Sequence, residues 1–168
     1  MEAGARIGRA GEQSAIATGV PVLDHLLARL AATAGISLAL EIAPGEPEDE
    51  VAEAGRALGV ALAPQLRAPG ARGYGAGVLS ASEALALVAV EASGEPLLVS
   101  NADLTATGAG GLRTDLAAAF LTALAEAAGL TVHVRLMEGE DSQHVLEAIF
   151  KALGAALAEA SAVRAERS

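Results

Sequence analysis

Two of the three histidines in this chain stand beside a carboxylate: His25 follows Asp24, and His144 precedes Glu147 by three positions. Residues three apart share one face of a helix, so His144 and Glu147 could grip a divalent ion between an imidazole nitrogen and a carboxylate oxygen. The same spacing arises in a solvated helix start with a glutamate nearby, and both readings stay open for the isolated motif. For His25 the alternative to a ligand is a helix-start histidine paired locally with Asp24. His133 lies in an alternating strand, where a structural role is expected. The run Glu48-Asp49-Glu50 reads as a solvated acidic segment before a helix, because negative charge is favoured at the N-terminal end of the helix dipole. Cysteine is absent, so disulfides, thiolate sites and a cysteine nucleophile are excluded, and metal chemistry falls to His, Asp and Glu.

The composition narrows the partners. A net charge of −10 would repel a phosphate backbone, and two Phe with one Tyr leave little for bases to stack on, so nucleic acid is not expected. No apolar run reaches the roughly 18 to 20 residues of a membrane span, and no basic region followed by an apolar run opens the chain. A soluble, cytoplasmic protein is the expectation. Thr107-Gly108-Ala109-Gly110-Gly111 lacks the following Gly-Lys-Ser/Thr of a phosphate loop, so no nucleotide is expected either. With apolar residues at 52% but aromatics at 2%, the core must be built from Ala, Leu and Val, which lets helices and sheets approach closely.

The elements that must position these residues occur twice. Leu30 to Leu40 is echoed by Leu124 to Val134: in each, a helix closes on a glycine (Gly35, Gly129) and an alternating strand begins at once. Ala57-Leu58-Gly59 is echoed by Ala152-Leu153-Gly154 in the same order. The repeating unit is helix, strand, short acidic loop, helix. Between the copies, Ala86 to Val90 and Pro96 to Val99 read as strands separated by a turn at Ser93-Gly94-Glu95-Pro96. Pro64 to Gly75 reads as a surface linker, and Ser161 to Ser168 as a polar, frayed tail. One domain over residues 1–168, made of α+β halves at about 8–66 and 75–160, is the plain reading.

Taken in order, Thr18-Gly19-Val20-Pro21-Val22-Leu23-Asp24-His25-Leu26-Leu27, Ser82-Glu83-Ala84-Leu85, Ser93-Gly94-Glu95-Pro96, Leu130 to Val134 and Gly139 to Ala152 resemble the imidazoleglycerol-phosphate dehydratase family of histidine biosynthesis. The resemblance covers about residues 8 to 160. It implies an α+β fold of two similar halves with helices packed between two four-stranded sheets, of the ribosomal S5 domain 2-like kind. It also implies a homotrimer or larger homo-oligomer, with manganese at contacts between subunits. The implied chemistry is removal of water from imidazole-glycerol phosphate, a metal-dependent hydro-lyase reaction in which metal binding of the substrate imidazole eases proton loss.

Carried over residue by residue, the resemblance assigns metal ligation to His25, His144 and Glu147, with Asp49 standing where the family has histidine. Two His and two carboxylates would suit one Mn²⁺, with Zn²⁺ or Fe²⁺ as alternatives. Glu147 and Glu83 are the implied catalytic carboxylates. A second family metal site would fall on Glu48, Ala52, Ala119 and Gln143, none of which is the family residue, so that site is expected to be empty. The family's phosphate-gripping arginines fall on Gly73 and Glu95, which leaves Arg72 as the candidate phosphate-binding residue. The family's first strand is expected to be missing or shortened. These departures lead to a main expectation of a degenerate paralogue with at most one divalent metal, weak or no dehydration, and a small-molecule ligand. A working dehydratase and a non-catalytic assembly or regulatory subunit stand as alternatives.

Overall fold

The computed structural model describes residues 4–102 and 114–164; the glycine cluster at 107–111 and the last residues of the tail lie outside them. The first half runs β1 (Gly4–Arg9), β2 (Ala15–Ala17), α1 (Pro21–Ala34), β3 (Ile36–Glu41) and α2 (Pro47–Leu66). The second runs β4 (Tyr74–Ala81), β5 (Ala84–Glu91), β6 (Leu97–Ser100), α3 (Thr114–Ala128), β7 (Thr131–Glu138) and α4 (Ser142–Ser161). In one half β3 pairs antiparallel with β1 and parallel with β2; in the other β7 pairs antiparallel with β5 and parallel with β6. The repeat seen in the sequence is thus a repeat of strand pairing, with β1, β2 and β3 matching β5, β6 and β7.

The helices close as their glycines require. Gly35 takes φ +69° and its N–H reaches the carbonyls of Ala31 and Ala32, while Gly129 takes φ +68°, a conformation that costs glycine least. Helices α1 and α4 pack together, as do α2 and α3, and the sheets cover the outside of this helical layer. Leu23, Leu26, Leu27 and Leu30 of α1 are buried, as are Leu58 of α2, Phe120 of α3 and Phe150 of α4. Each buried Leu or Phe contributes about 1.5–3 kcal/mol of transfer free energy. The two echoed glycines sit where helices touch: a Cβ on Gly59 would come within 2.7 Å of Ala127 Cβ, and one on Gly154 would strike the Leu30 carbonyl and Thr33 Oγ1.

Three expectations need correction. Among the described residues the first sheet has three strands in the order β1-β3-β2, and only the second has four, β4-β5-β7-β6. The first half has no counterpart of β4 among the described residues. Next, Pro64 belongs to α2, which continues to Leu66, because Pro64 lies in the last turn and the buried Leu66 beyond it anchors that turn. Finally, the stretch after Ser161 is pinned as far as Arg164. Arg72 N–H donates to the Ala162 carbonyl at 2.9 Å, and Arg164 N–H to the Gly70 carbonyl at 2.8 Å.

Candidate active site

The N-terminal end of α4 gathers most of the candidate residues. Asp141 caps it, its Oδ1 accepting from the backbone N–H of Gln143 at 2.9 Å and of His144 at 3.1 Å. His144 and Glu147 then project from one side of the first turns, facing α1 and the β4–β5 turn. That turn is two residues long, since Ala81 pairs with Ala84, and Ser82 adopts φ +51° within it. A left-handed conformation in a non-glycine residue costs roughly 1 kcal/mol, and here it aims Glu83 at His144. Gly139 lets the loop before α4 approach the hairpin: it takes φ +145°, and a Cβ there would lie 2.9 Å from both Ala84 Cβ and Val145 Cγ2.

The result is a short contact in which His144 Nδ1–H donates to Glu83 Oε1 at 2.5 Å. The hydrogen bond to Glu83 holds the His144 imidazolium above its ordinary pKa of 6.5, and the charges of Glu83, Asp141 and Glu147 add to this, while burial opposes it. With Nδ1–H committed to a carboxylate, the neutral ring presents Nε2 as its free lone pair, the arrangement typical of a metal-ligating histidine with an orienting partner.

A second pair lies beside it. His25 on α1 places Nε2 4.0 Å from Glu147 Oε2, and Arg29, one turn further along, places Nε 3.3 Å from Glu147 Oε1. Asp24 fixes the start of α1 by accepting from the Thr18 backbone N–H at 2.9 Å and from its hydroxyl at 2.5 Å, and Thr18 is fully buried. Gly19, at φ +86°, makes room for the carboxylate of Glu50, which is itself buried at the start of α2. Glu50 was expected to be solvated with its neighbours; its side chain instead turns inward because Gly19 leaves the space.

The structure thus brings His25, Glu147, His144 and Glu83 to one end of the α1–α4 pair. Asp49 sits exposed at the start of α2 and is not joined to them. Among the described residues no three His, Cys, Asp or Glu side chains are gathered as a ligand set within one chain. Ala119 and Gln143 lie on α3 and α4, and Ala52 and Glu48 on α2. Arg72 lies away from this cluster, with its Nη2 3.4 Å from Glu159 Oε1. His133 points outward from β7 and lines an open cleft with Tyr74 and Thr131.

Sequence reasoning passed over Asp141, Arg29 and the partnership of Glu83 with His144. The cap was legible, since an aspartate directly before a helical run is a start signal. Arg29 was legible once His25 was placed, being four residues further along the same helix. The pairing of Glu83 with His144 spans 61 residues and has no local signature.

The family model for imidazoleglycerol-phosphate dehydratase matches residues 18–157. The imidazoleglycerol-phosphate dehydratase of Desulforudis audaxviator is 36% identical over 157 residues, covering 91% of this chain and 80% of the relative. That of Moorella thermoacetica is 38% identical over 148 residues, covering 85% and 75%. The crystal structure of the Staphylococcus aureus imidazoleglycerol-phosphate dehydratase superposes with a TM-score of 0.87 at 32% identity, over 96% of this chain and 94% of that one. The Pyrococcus furiosus protein, solved in complex with (S)-C348, gives 0.83 at 27% identity, over 93% and 86%. This chain belongs to the imidazoleglycerol-phosphate dehydratase family.

Proposed function

We propose that this chain is a hydro-lyase that removes water from imidazole-glycerol phosphate in histidine biosynthesis. The observation that carries the proposal is the match to relatives bearing that name over most of the chain, joined to the cluster of His25, Glu83, His144 and Glu147 at one end of the α1–α4 pair. Of the readings raised by the sequence, this one gains most from the relatives; degeneracy gains nothing from them.

Loss of water requires removal of a C–H proton and departure of a hydroxyl group. Glu83 accepts a hydrogen bond from His144 and holds its imidazolium above the ordinary pKa, so the pair can hold or pass a proton. Glu147 is the second carboxylate within reach of an imidazole, and Arg29 pairs with its other oxygen. The donor types of His25, His144 and Glu147 suit one divalent ion such as Mn²⁺, Zn²⁺ or Fe²⁺. Such an ion would act as a Lewis acid toward the substrate imidazole.

Asp49 completes that set only if it arrives from a neighbouring copy, which is the reason to propose a homotrimer or larger homo-oligomer. The outward face of the second sheet supports self-association, since Val78, Leu97, Val99 and Met137 are all exposed there. No described helix is long and apolar enough to cross a membrane.

A second reading is a diverged paralogue with weak or no dehydration. It is favoured by one observation: Gly73, at the position the resemblance gives to an arginine, holds φ +78°, a backbone state in which an arginine would be strained. The deciding experiment supplies the gene to a strain lacking its own dehydratase, grown without histidine, beside an in-vitro assay with added Mn²⁺. Growth together with formation of imidazole-acetol phosphate is the expected result. Failure of both would overturn the proposal in favour of the paralogue.

A further inference from the structure

We propose that the open edge of β1, with the bare face of α2 behind it, is a slot for one extended segment of a partner protein: a strand with glycine at two alternate positions and an acidic residue between them. The slot lies outside the cluster at the start of α4 and does not depend on the chemistry there.

The repeat reveals the slot. Helices α2 and α4 hold equivalent places: a Cβ on Gly59 would meet the Leu124 carbonyl and Ala127 Cβ, and one on Gly154 the Leu30 carbonyl and Thr33 Oγ1, so Gly59 answers to Gly154. Strand β4 lies over α4, so close that a Cβ on Gly75 would strike Ala156 and Ala160, and one on Gly77 would strike Ala152 and Ala155. Counted from the paired glycines, the matching positions on α2 are Ala57, Val60, Ala61 and Gln65. On α4, Ala152, Ala156 and Ala160 are fully buried. On α2, Ala57 and Ala61 are half-buried, Gln65 is exposed and Val60 is 61% exposed, because no described strand covers them.

The main chain is open at the same place. Strand β1 pairs with β3 on one side, and no described strand adjoins it on the other. In an antiparallel edge strand every second residue turns its N–H and C=O to the open side, which accepts an added strand.

Register fixes what the occupant must be. Ile7 and Ala5 pair with Leu38 and Leu40 of β3, as Val90 and Val88 pair with Val132 and Val134 of β7. Val90 and Val88 in turn face Gly75 and Gly77 of β4. An incoming antiparallel strand therefore needs glycine opposite Ile7 and opposite Ala5, the more so because Val60 is bulkier than Ala155. Its residue between them falls opposite Arg6, as Ala76 falls opposite Ala89. Arg6 is exposed and forms no ion pair with a described residue, and β1 holds no acid. An acidic residue there gains a cross-strand charge pair. The same register disfavours β1 of a second copy: its Gly4 and Gly8 face the side away from the helices, so Ala5 and Ile7 would be driven onto α2, with no acid for Arg6.

The probe is a fluorescein-labelled peptide of residues 74–81 carrying Ala76→Asp, titrated with the full chain and read by polarisation. Saturable binding is expected, with slowed amide hydrogen exchange in β1, which apolar sticking elsewhere would not produce. Gly75→Val/Gly77→Val in the peptide should weaken binding by roughly tenfold or more, since the added side chains collide with α2. A peptide that keeps Ala76 should bind several-fold more weakly, and Arg6→Glu in the protein should remove the preference for aspartate. Val60→Phe fills the slot and should abolish binding; if it alters the circular dichroism, Arg6→Glu and the peptide variants carry the test. Absence of saturable binding, indifference to the peptide glycines, or unchanged exchange in β1 would overturn the proposal. A particle that shrinks by light scattering on Val60→Phe, together with no peptide binding, would assign the slot to a second copy instead.

Discussion

The starts of α2 and α4 occupy matching places in the two halves, yet they are built for different work. At α4, Asp141 caps the helix through its side chain and presents His144 and Glu147 toward α1. At α2, Glu46 makes no side-chain cap, Pro47 begins the helix, and the following acids are split between solvent and the buried Glu50 beside Gly19. Deeper along the same helices the resemblance returns, in Gly59 against α3 and Gly154 against α1. The interior of a repeat is constrained by packing, where one added methyl group collides, while the helix end faces solvent and tolerates different side chains.

The severest way to test that equivalence is to add bulk at the paired glycines. Gly154→Val should destabilise the protein by about 3 kcal/mol or more, since backbone at Leu30 cannot move aside, and Gly59→Val should come close to it. Denaturant unfolding measures both. A tolerated substitution in either helix would mean that the halves do not share one packing rule.

The difference between the helix ends is tested by metal content. At most one tightly bound divalent ion per chain is expected after dialysis against Mn²⁺ or Zn²⁺, and His144→Ala should lower affinity by roughly a hundredfold. Gln143→Ala, its neighbour, should leave it nearly unchanged. Two equivalents per chain by elemental analysis would show that the α2 end binds as well.

Smaller effects separate the caps. Asp141→Ala removes acceptors from two backbone N–H groups and should cost about 1 kcal/mol, read as a lowered Tm, while Glu46→Ala should cost little. The smallest is a titration. In metal-free protein the His144 ring should titrate above 6.5 by NMR, and Glu83→Gln should bring it back toward that value. Because the folded pKa is raised, the contribution of this contact to stability is full below 6.5 and is lost as pH rises through the folded value. An unshifted His144 would mean that Glu83 does not hold it.

The sequence by itself determined the repeat, because a helix closing on glycine and an alternating strand are local patterns, written in Gly35 and Gly129 and in the apolar residues that follow. It also determined which side chains could act, since only three histidines exist and His144 and Glu147 must share a helical face whatever the rest does. Strand neighbours were not legible: β6 follows β5 in the chain but pairs with β7, and β4 was missed among glycines that serve close packing on α4. Only the tertiary structure decided that Glu83 meets His144, that Glu147 is shared by His25 and Arg29, and that Asp49 stays apart from them. Those contacts depend on how the β4–β5 turn and α1 are laid against α4, and packing across the core sets that, not the spacing of residues along the chain.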